Sequence, residues 1–93
     1  MEVIVQLRLD IAVGLQKRLP AELLPGATRE LLAVATEFGV NIEPVHPGST
    51  DPLLVPYFRL DATSRETAQS LVERFLKVEG VIGAYIKPPD ELP

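Results

Sequence analysis

Apolar and polar residues alternate in two stretches of the chain, residues 3–9 and residues 56–62. Successive side chains of a β-strand point to opposite faces, so this alternation predicts two strands that are each buried on one side. The first, "VIVQLRL", would bury Val3, Val5, Leu7 and Leu9, and would turn Ile4, Gln6 and Arg8 to the other face. The second, "PYFRLDA", would bury Phe58 and Leu60 and would turn Tyr57, Arg59 and Asp61 outward.

Two other stretches have helical spacing. Residues 27–38 carry apolar side chains at i, i+3, i+4 and i+7, which predicts an amphipathic helix that ends at Gly39. A second helix is predicted to begin at a capping box formed by Thr63 and Glu66, and to stop before Gly80. Its apolar stripe consists of Ala68, Leu71, Val72 and Phe75 and is extended by Leu76.

The remaining segments are defined by glycines and prolines. Residues 10–26 have mixed spacing and several helix breakers, so we predict a loop there with up to one helical turn. A strand at residues 40–45 contains Pro44, which lacks an amide donor and therefore indicates that the strand lies at an edge of the sheet or ends there. Residues 46–54 form a turn-rich loop, and residues 81–87 form the last strand.

The predicted order is strand, helix, strand, strand, helix, strand. Because each helix has one apolar stripe, both should pack on the same face of the sheet. This predicts an α+β fold, the ferredoxin-like βαββαβ sandwich, with a four-stranded antiparallel sheet and two helices on one face. We expect one domain over residues 1–87, followed by a proline-rich tail or linker at residues 88–93.

Composition narrows the classes of function. The chain has 93 residues, a net charge of −4 and no cysteine. Nucleic-acid binding needs a basic surface, so it is not expected, and thiolate chemistry is excluded. No run approaches the roughly 18 apolar residues of a membrane span, and the first residues lack the pattern of a signal peptide, so we expect neither.

Few residues suggest catalysis. His46, Ser49 and Asp51 lie within one short loop, whereas the members of a catalytic triad usually converge from separate elements. We expect Ser49 and Asp51 to form hydrogen bonds to the turn backbone instead. A lone histidine does not make a metal site, and the carboxylates are dispersed. The sequence therefore predicts a non-catalytic domain without a metal or a cofactor.

The last thirty residues resemble a known family. In "SRETAQSLVERFLKVEGVIGAYIKPPDELP" a helix, a short loop at Val78 to Gly80 and a strand containing Val81, Ala84, Tyr85 and Ile86 are followed by a polar tail. This resembles the propeptides of subtilisin-like serine proteases, and the first strand is similar to the opening strand of that family. The resemblance in topology extends over nearly the whole chain.

The resemblance implies a function as an intramolecular chaperone and inhibitor of a subtilisin-like protease domain, in cis or in trans. In such propeptides the open sheet face docks on the enzyme and the extended tail occupies the substrate cleft. It implies these partner-binding residues: Tyr57, Arg59, Tyr85, Ile86, Lys87, Pro88, Pro89, Asp90, Glu91 and Leu92.

Two alternatives remain open. Residues 23–42 resemble the first-helix region of ACT domains, which are small regulatory modules that bind amino acids. Those domains have a Pro-Gly soon after strand one, whereas Pro25 comes much later in this chain. The other alternative is a protein-interaction domain without a small ligand.

Overall fold

The computed structural model describes residues 1–17 and 20–87, so the predicted tail at residues 88–93 lies outside it. Within the described residues the elements follow one another in this order: β1 (Glu2–Leu7), α1 (Leu9–Gln16), a 3₁₀ turn (Ala21–Leu23), α2 (Gly26–Glu37), β2 (Glu43–Pro44), β3 (Tyr57–Asp61), α3 (Arg65–Leu76) and β4 (Val81–Ile86).

The four strands form one antiparallel sheet in the order β2-β3-β1-β4. In the centre, Val5 of β1 is opposite Phe58 of β3 on one side and opposite Ala84 of β4 on the other. This order, with α2 and α3 as the two crossover helices, is the ferredoxin-like arrangement. The predicted fold class is therefore confirmed.

The core lies between the sheet and the helices. Inward-facing residues of β1 and β3 pack against the apolar stripes of α2 and α3. The largest fully buried side chains include Phe58, Phe75, Leu7, Leu31, Leu60 and Leu71. Full burial of each such side chain contributes about 1.5–3 kcal/mol to the stability of the fold. The alternating residues of the strands and the apolar stripes of the helices thus form one core.

Helix α1 is the main difference from the predicted fold. The sequence pattern predicted a loop with up to one turn, but Leu9–Gln16 form a helix that buries Ile11, Ala12 and Gly14. Leu9, which was predicted to be a buried strand residue, lies in the first turn of α1 and is 46% exposed. The helix was missed because a short helix that is apolar on most sides shows no clear amphipathic period.

Strand β2 is shorter than predicted, because the end of α2 uses the first residues of the expected strand. The N–H of Gly39 donates to the carbonyl of Thr36, and that of Val40 donates to the carbonyl of Ala35, at 3.0 Å each. This is a Schellman motif, with Gly39 at φ +68°. Pairing with β3 therefore begins at Glu43 rather than at Val40.

The prediction that Pro44 lies in an edge strand is confirmed, since β2 is the first strand of the sheet. The N–H of Val45 donates to the carbonyl of Tyr57 at 3.0 Å. Hydrogen-bonding positions alternate along an antiparallel strand, so the nitrogen of Pro44 faces away from β3 and its missing proton costs the sheet nothing.

The predicted capping box of α3 is wrong by one residue. The N-cap is Ser64, whose Oγ accepts a hydrogen bond from the N–H of Thr67 at 3.2 Å. Thr63 precedes the cap and Glu66 lies in the first turn, so these two residues do not form the predicted pair. Two hydroxyl residues in a row leave the sequence pattern ambiguous at this point.

Candidate protein-binding surface on the open sheet face

The side of the sheet away from the helices has no layer over it within the described residues. Because side chains alternate along each strand, this side is formed by the residues opposite to the core positions. We call it the open face, and it includes Ile4 and Gln6 of β1, Tyr57 and Arg59 of β3, and Tyr85 of β4.

A shallow apolar cavity of about 370 Å³ lies on the open face. Ile4 is only 6% exposed although it points away from the core, whereas Tyr85, directly opposite it in the sheet, is 55% exposed. The cavity is lined by Ile4, Val45, His46, Tyr57, Tyr85 and Lys87. Tyrosine is among the residues that are enriched at protein interfaces and that dominate the binding energy there, and two tyrosines line this cavity.

Arg59 on the open face forms only a weak, exposed ion pair. Arg59 Nη2 lies 3.5 Å from Glu43 Oε2, and both side chains are more than half exposed. An exposed ion pair of this kind contributes about 0–1 kcal/mol. Arg59 can therefore exchange Glu43 for a carboxylate of a partner at little cost.

Strand β4 adds a free edge to this face. The N–H of Lys87 donates to the carbonyl of Glu2 at 2.8 Å. In the β1–β4 ladder the backbone N–H and C=O groups of Tyr85, two residues earlier, therefore also face β1. By alternation, the N–H and C=O groups of Ala84 and Ile86 point outward. No strand among residues 1–17 and 20–87 pairs with this edge.

The structure brings together four of the residues predicted to bind a partner. Tyr57, Tyr85 and Lys87 line the same cavity, and Arg59 is on the same face, opposite Ile4 in the sheet. Ile86 is placed differently: its side chain packs against the core, and only its backbone faces the free edge. Pro88, Pro89, Asp90, Glu91 and Leu92 lie outside the described residues.

Three residues of the cavity were not predicted: Ile4, Val45 and His46. Alternation in the first strand already placed Ile4 on the outward face, and this signal could have identified it. The positions of Val45 and His46 depend on how the chain leaves β2, which the sequence pattern did not define.

The structure gives the residues of the 46–54 loop a structural role. Ser49 Oγ accepts a hydrogen bond from the N–H of Asp51 at 3.1 Å, and Asp51 Oδ1 accepts one from the N–H of Leu53 at 2.9 Å. The prediction that these side chains bond to the turn backbone is therefore confirmed. Among the described residues neither side chain forms a hydrogen bond with His46, whereas a catalytic triad requires one from each.

Shifted pKa values occur at surface ion pairs in the described part of the chain. The Arg8 guanidinium lowers the pKa of Asp10, and the Arg74 guanidinium lowers the pKa of Glu37. Residues 1–17 and 20–87 contain no group of three His, Asp or Glu side chains that could hold a metal ion. None of the helices described is long and apolar enough to cross a membrane.

Comparison of the chain with protein-family models, with curated proteins and with solved structures finds no match. The open face is shallow and carries aromatic side chains next to a free strand edge, and these features are typical of surfaces that bind other macromolecules.

Proposed function

We propose that this chain is a protein-binding domain that uses the open face and the β4 edge to bind a subtilisin-like serine protease, as its chaperone and inhibitor. The observation that carries the proposal is the cluster of Tyr57 and Tyr85 around Ile4, beside a strand edge that no described residue covers. The choice of a protease as the partner rests on the resemblance of residues 64–93 to subtilisin propeptides.

The open face offers enough apolar surface to contribute to affinity. A tyrosine buries roughly 150–250 Å² when it is fully enclosed. Since Tyr85 is 55% exposed, covering it would remove on the order of 100 Å² from water, which corresponds to about 2–3 kcal/mol. Loss of this contact alone would weaken binding roughly 30- to 150-fold.

The β4 edge supplies a second mode of contact. An extended segment of a partner can add to a free sheet edge through main-chain hydrogen bonds. The opposite edge is less suitable, because β2 has only two paired residues and one of them is Pro44. In this proposal the residues that follow Lys87 continue into the substrate cleft of the protease, and the prolines limit the entropy that the tail loses on binding.

Inhibition of a subtilisin-type protease by the full chain tests the proposal. We expect the double variant Tyr57→Ala/Tyr85→Ala to raise the inhibition constant at least 100-fold, and removal of residues 88–93 to weaken inhibition independently. The matched control is Leu76→Ala, which removes a side chain of similar exposure (54%) from α3. This control should inhibit like the unmodified chain.

Two results would count against the proposal. If the double tyrosine variant inhibits as well as the unmodified chain while circular dichroism shows both to be folded, the open face is not the contact surface. If the unmodified chain neither binds nor inhibits any of a panel of subtilisin-type proteases, including one made inactive at its nucleophile, the choice of partner is wrong.

A further inference from the structure

We propose that a groove beside α1 binds a small aliphatic carboxylate, a molecule with an apolar chain and one anionic head. The groove, here called the α1 groove, is a cavity of about 450 Å³ between α1 and the loop that precedes β3. This volume is within the range of roughly 300–1,000 Å³ that is usual for small-molecule sites. The lining residues are Leu9, Val13, Gln16, Lys17, Gly48, Ser49, Thr50, Pro52 and Val55.

The buried amide nitrogen of Gln16 indicates what the head of the ligand must provide. Gln16 Nε2 has no exposed surface and no hydrogen-bond partner in the described structure. A buried donor without an acceptor destabilises the fold. Because Gln16 lines the groove, rotation of its side chain would bring this donor to an acceptor atom bound there, and the ligand would remove the cost.

Lys17 determines the charge that the ligand should carry. It lines the groove next to Gln16, and its side chain forms no ion pair with any residue in the described ranges. An ammonium and an amide donor on the lining of one groove favour a carboxylate, whose two oxygens can accept from both. The chain as a whole has a net charge of −4, so this group of donors makes the α1 groove a local exception at which an anion can bind.

The rest of the α1 groove suits an aliphatic chain. Leu9 is 46% exposed and lines the groove together with Val13 and the buried Val55, so a ligand would cover apolar surface of Leu9 that now faces water. A second cavity of about 450 Å³ continues beyond Gln16 and is lined in part by Leu32 and Val40. The two cavities share Gln16 and Gly48.

The α1 groove is separate from the surface proposed to bind a protease. None of its lining residues belongs to the cavity on the open face, so a ligand here would not compete directly for Tyr57 or Tyr85. The two proposals can therefore fail independently.

Titration of the isotopically labelled full chain with sodium octanoate, followed by NMR, tests this inference. We expect saturable shifts of the Gln16 side-chain amide and of the Val13 and Val55 methyl groups. Octylamine, which has the same chain length and the opposite charge, should bind at least tenfold more weakly, and octanol should lie between the two.

Variants separate the head contacts from the apolar contacts. Gln16→Leu and Lys17→Ala should each weaken octanoate binding about tenfold, since each removes one charge-assisted contact, and should leave octanol binding within about twofold. The control Gln69→Leu replaces an exposed glutamine on α3 and should change neither. The inference is overturned if octanoate gives no saturable shifts in the unmodified chain, if the shifts map elsewhere, or if octylamine binds as tightly. Lys17→Ala provides the test if Gln16→Leu does not fold.

Discussion

Substitution of Gly80 by alanine tests the packing of α1, the helix that the sequence pattern did not reveal. Gly80 lies in the turn before β4 and has φ +91°. Its carbonyl accepts a hydrogen bond from the N–H of Arg8 at 2.8 Å, so the start of α1 is held against this turn. A Cβ atom at position 80 would lie 2.2 Å from Ile11 Cδ1, which is far inside van der Waals contact.

Two physical effects determine how much stability Gly80→Ala should lose. The positive φ costs a non-glycine residue about 1–2 kcal/mol, and the displacement of a fully packed side chain such as Ile11 costs about 1–3 kcal/mol. We therefore expect Gly80→Ala to lower the free energy of unfolding by about 2–5 kcal/mol. Gly39→Ala is the matched control, because Gly39 also has a positive φ (+68°) but a Cβ there meets nothing within 4 Å. It should cost about 1–2 kcal/mol.

Urea denaturation of a double-mutant cycle measures the interaction energy between Ile11 and the Cβ atom added at position 80. Ile11→Val removes Cδ1, and the next atoms around the added Cβ are then 3.7 Å away, which is ordinary contact. Alone, Ile11→Val should cost about 0.5–1.5 kcal/mol. In combination with Gly80→Ala, the loss should be smaller than the sum of the two single losses by about 1–3 kcal/mol. Strict additivity would refute the packing of Ile11 of α1 against the turn before β4.

Three further predictions concern single side chains. Thr28 is fully buried, and its Oγ1 has no hydrogen-bond partner among residues 1–17 and 20–87. Thr28→Val should therefore raise the free energy of unfolding in urea by about 1 kcal/mol, and Thr28→Ser should lower it. Destabilisation by valine would contradict the unsatisfied hydroxyl. Ser64→Ala should cost about 1 kcal/mol by the same measurement and Thr63→Ala much less, and the reverse order would restore the capping box predicted from sequence. Arg74 lowers the pKa of Glu37, so this ion pair stabilises the fold at a pH above the unfolded-state pKa of Glu37, and the stabilisation is lost as the pH falls through the lower folded-state pKa. In an NMR titration Arg74→Gln should move the titration midpoint of Glu37 upward, and an unchanged midpoint would exclude the pairing.

Patterns with a regular period were sufficient to predict most of the fold. The alternation at residues 3–9 and 56–62 and the stripes on α2 and α3 each identify one buried face, and these faces fit together in few ways. The missing donor of Pro44 placed β2 at an edge. The predictions that were wrong concern features without a regular period. Helix α1 is short and apolar on most sides, and the end of α2 extends into the segment expected to be β2. The N-cap of α3 could be either of two adjacent hydroxyl residues.

The candidate site was predicted in part for the same reason. Tyr57, Arg59, Tyr85 and Lys87 share the open face because they occupy alternate positions on their strands. Ile86 lies between Tyr85 and Lys87, so the same alternation requires its side chain to face the core. The α1 groove could not be predicted from sequence, because it depends on a helix that was not expected and on the position of the loop that precedes β3.

Hydrogen exchange with a partner protease present tests whether the open face and the β4 edge form the contact with the protease. The protease should be inactivated at its nucleophile so that the chain is not cleaved. In the free chain the amides of Ala84 and Ile86 point to the open edge of β4 and should exchange quickly, unlike the amide of Tyr85, which faces β1. We predict that the complex slows exchange at Ala84 and Ile86 and shifts the tyrosine signals of the open face. Slowed exchange confined to α2 and α3, with Ala84 and Ile86 unchanged, would contradict the account.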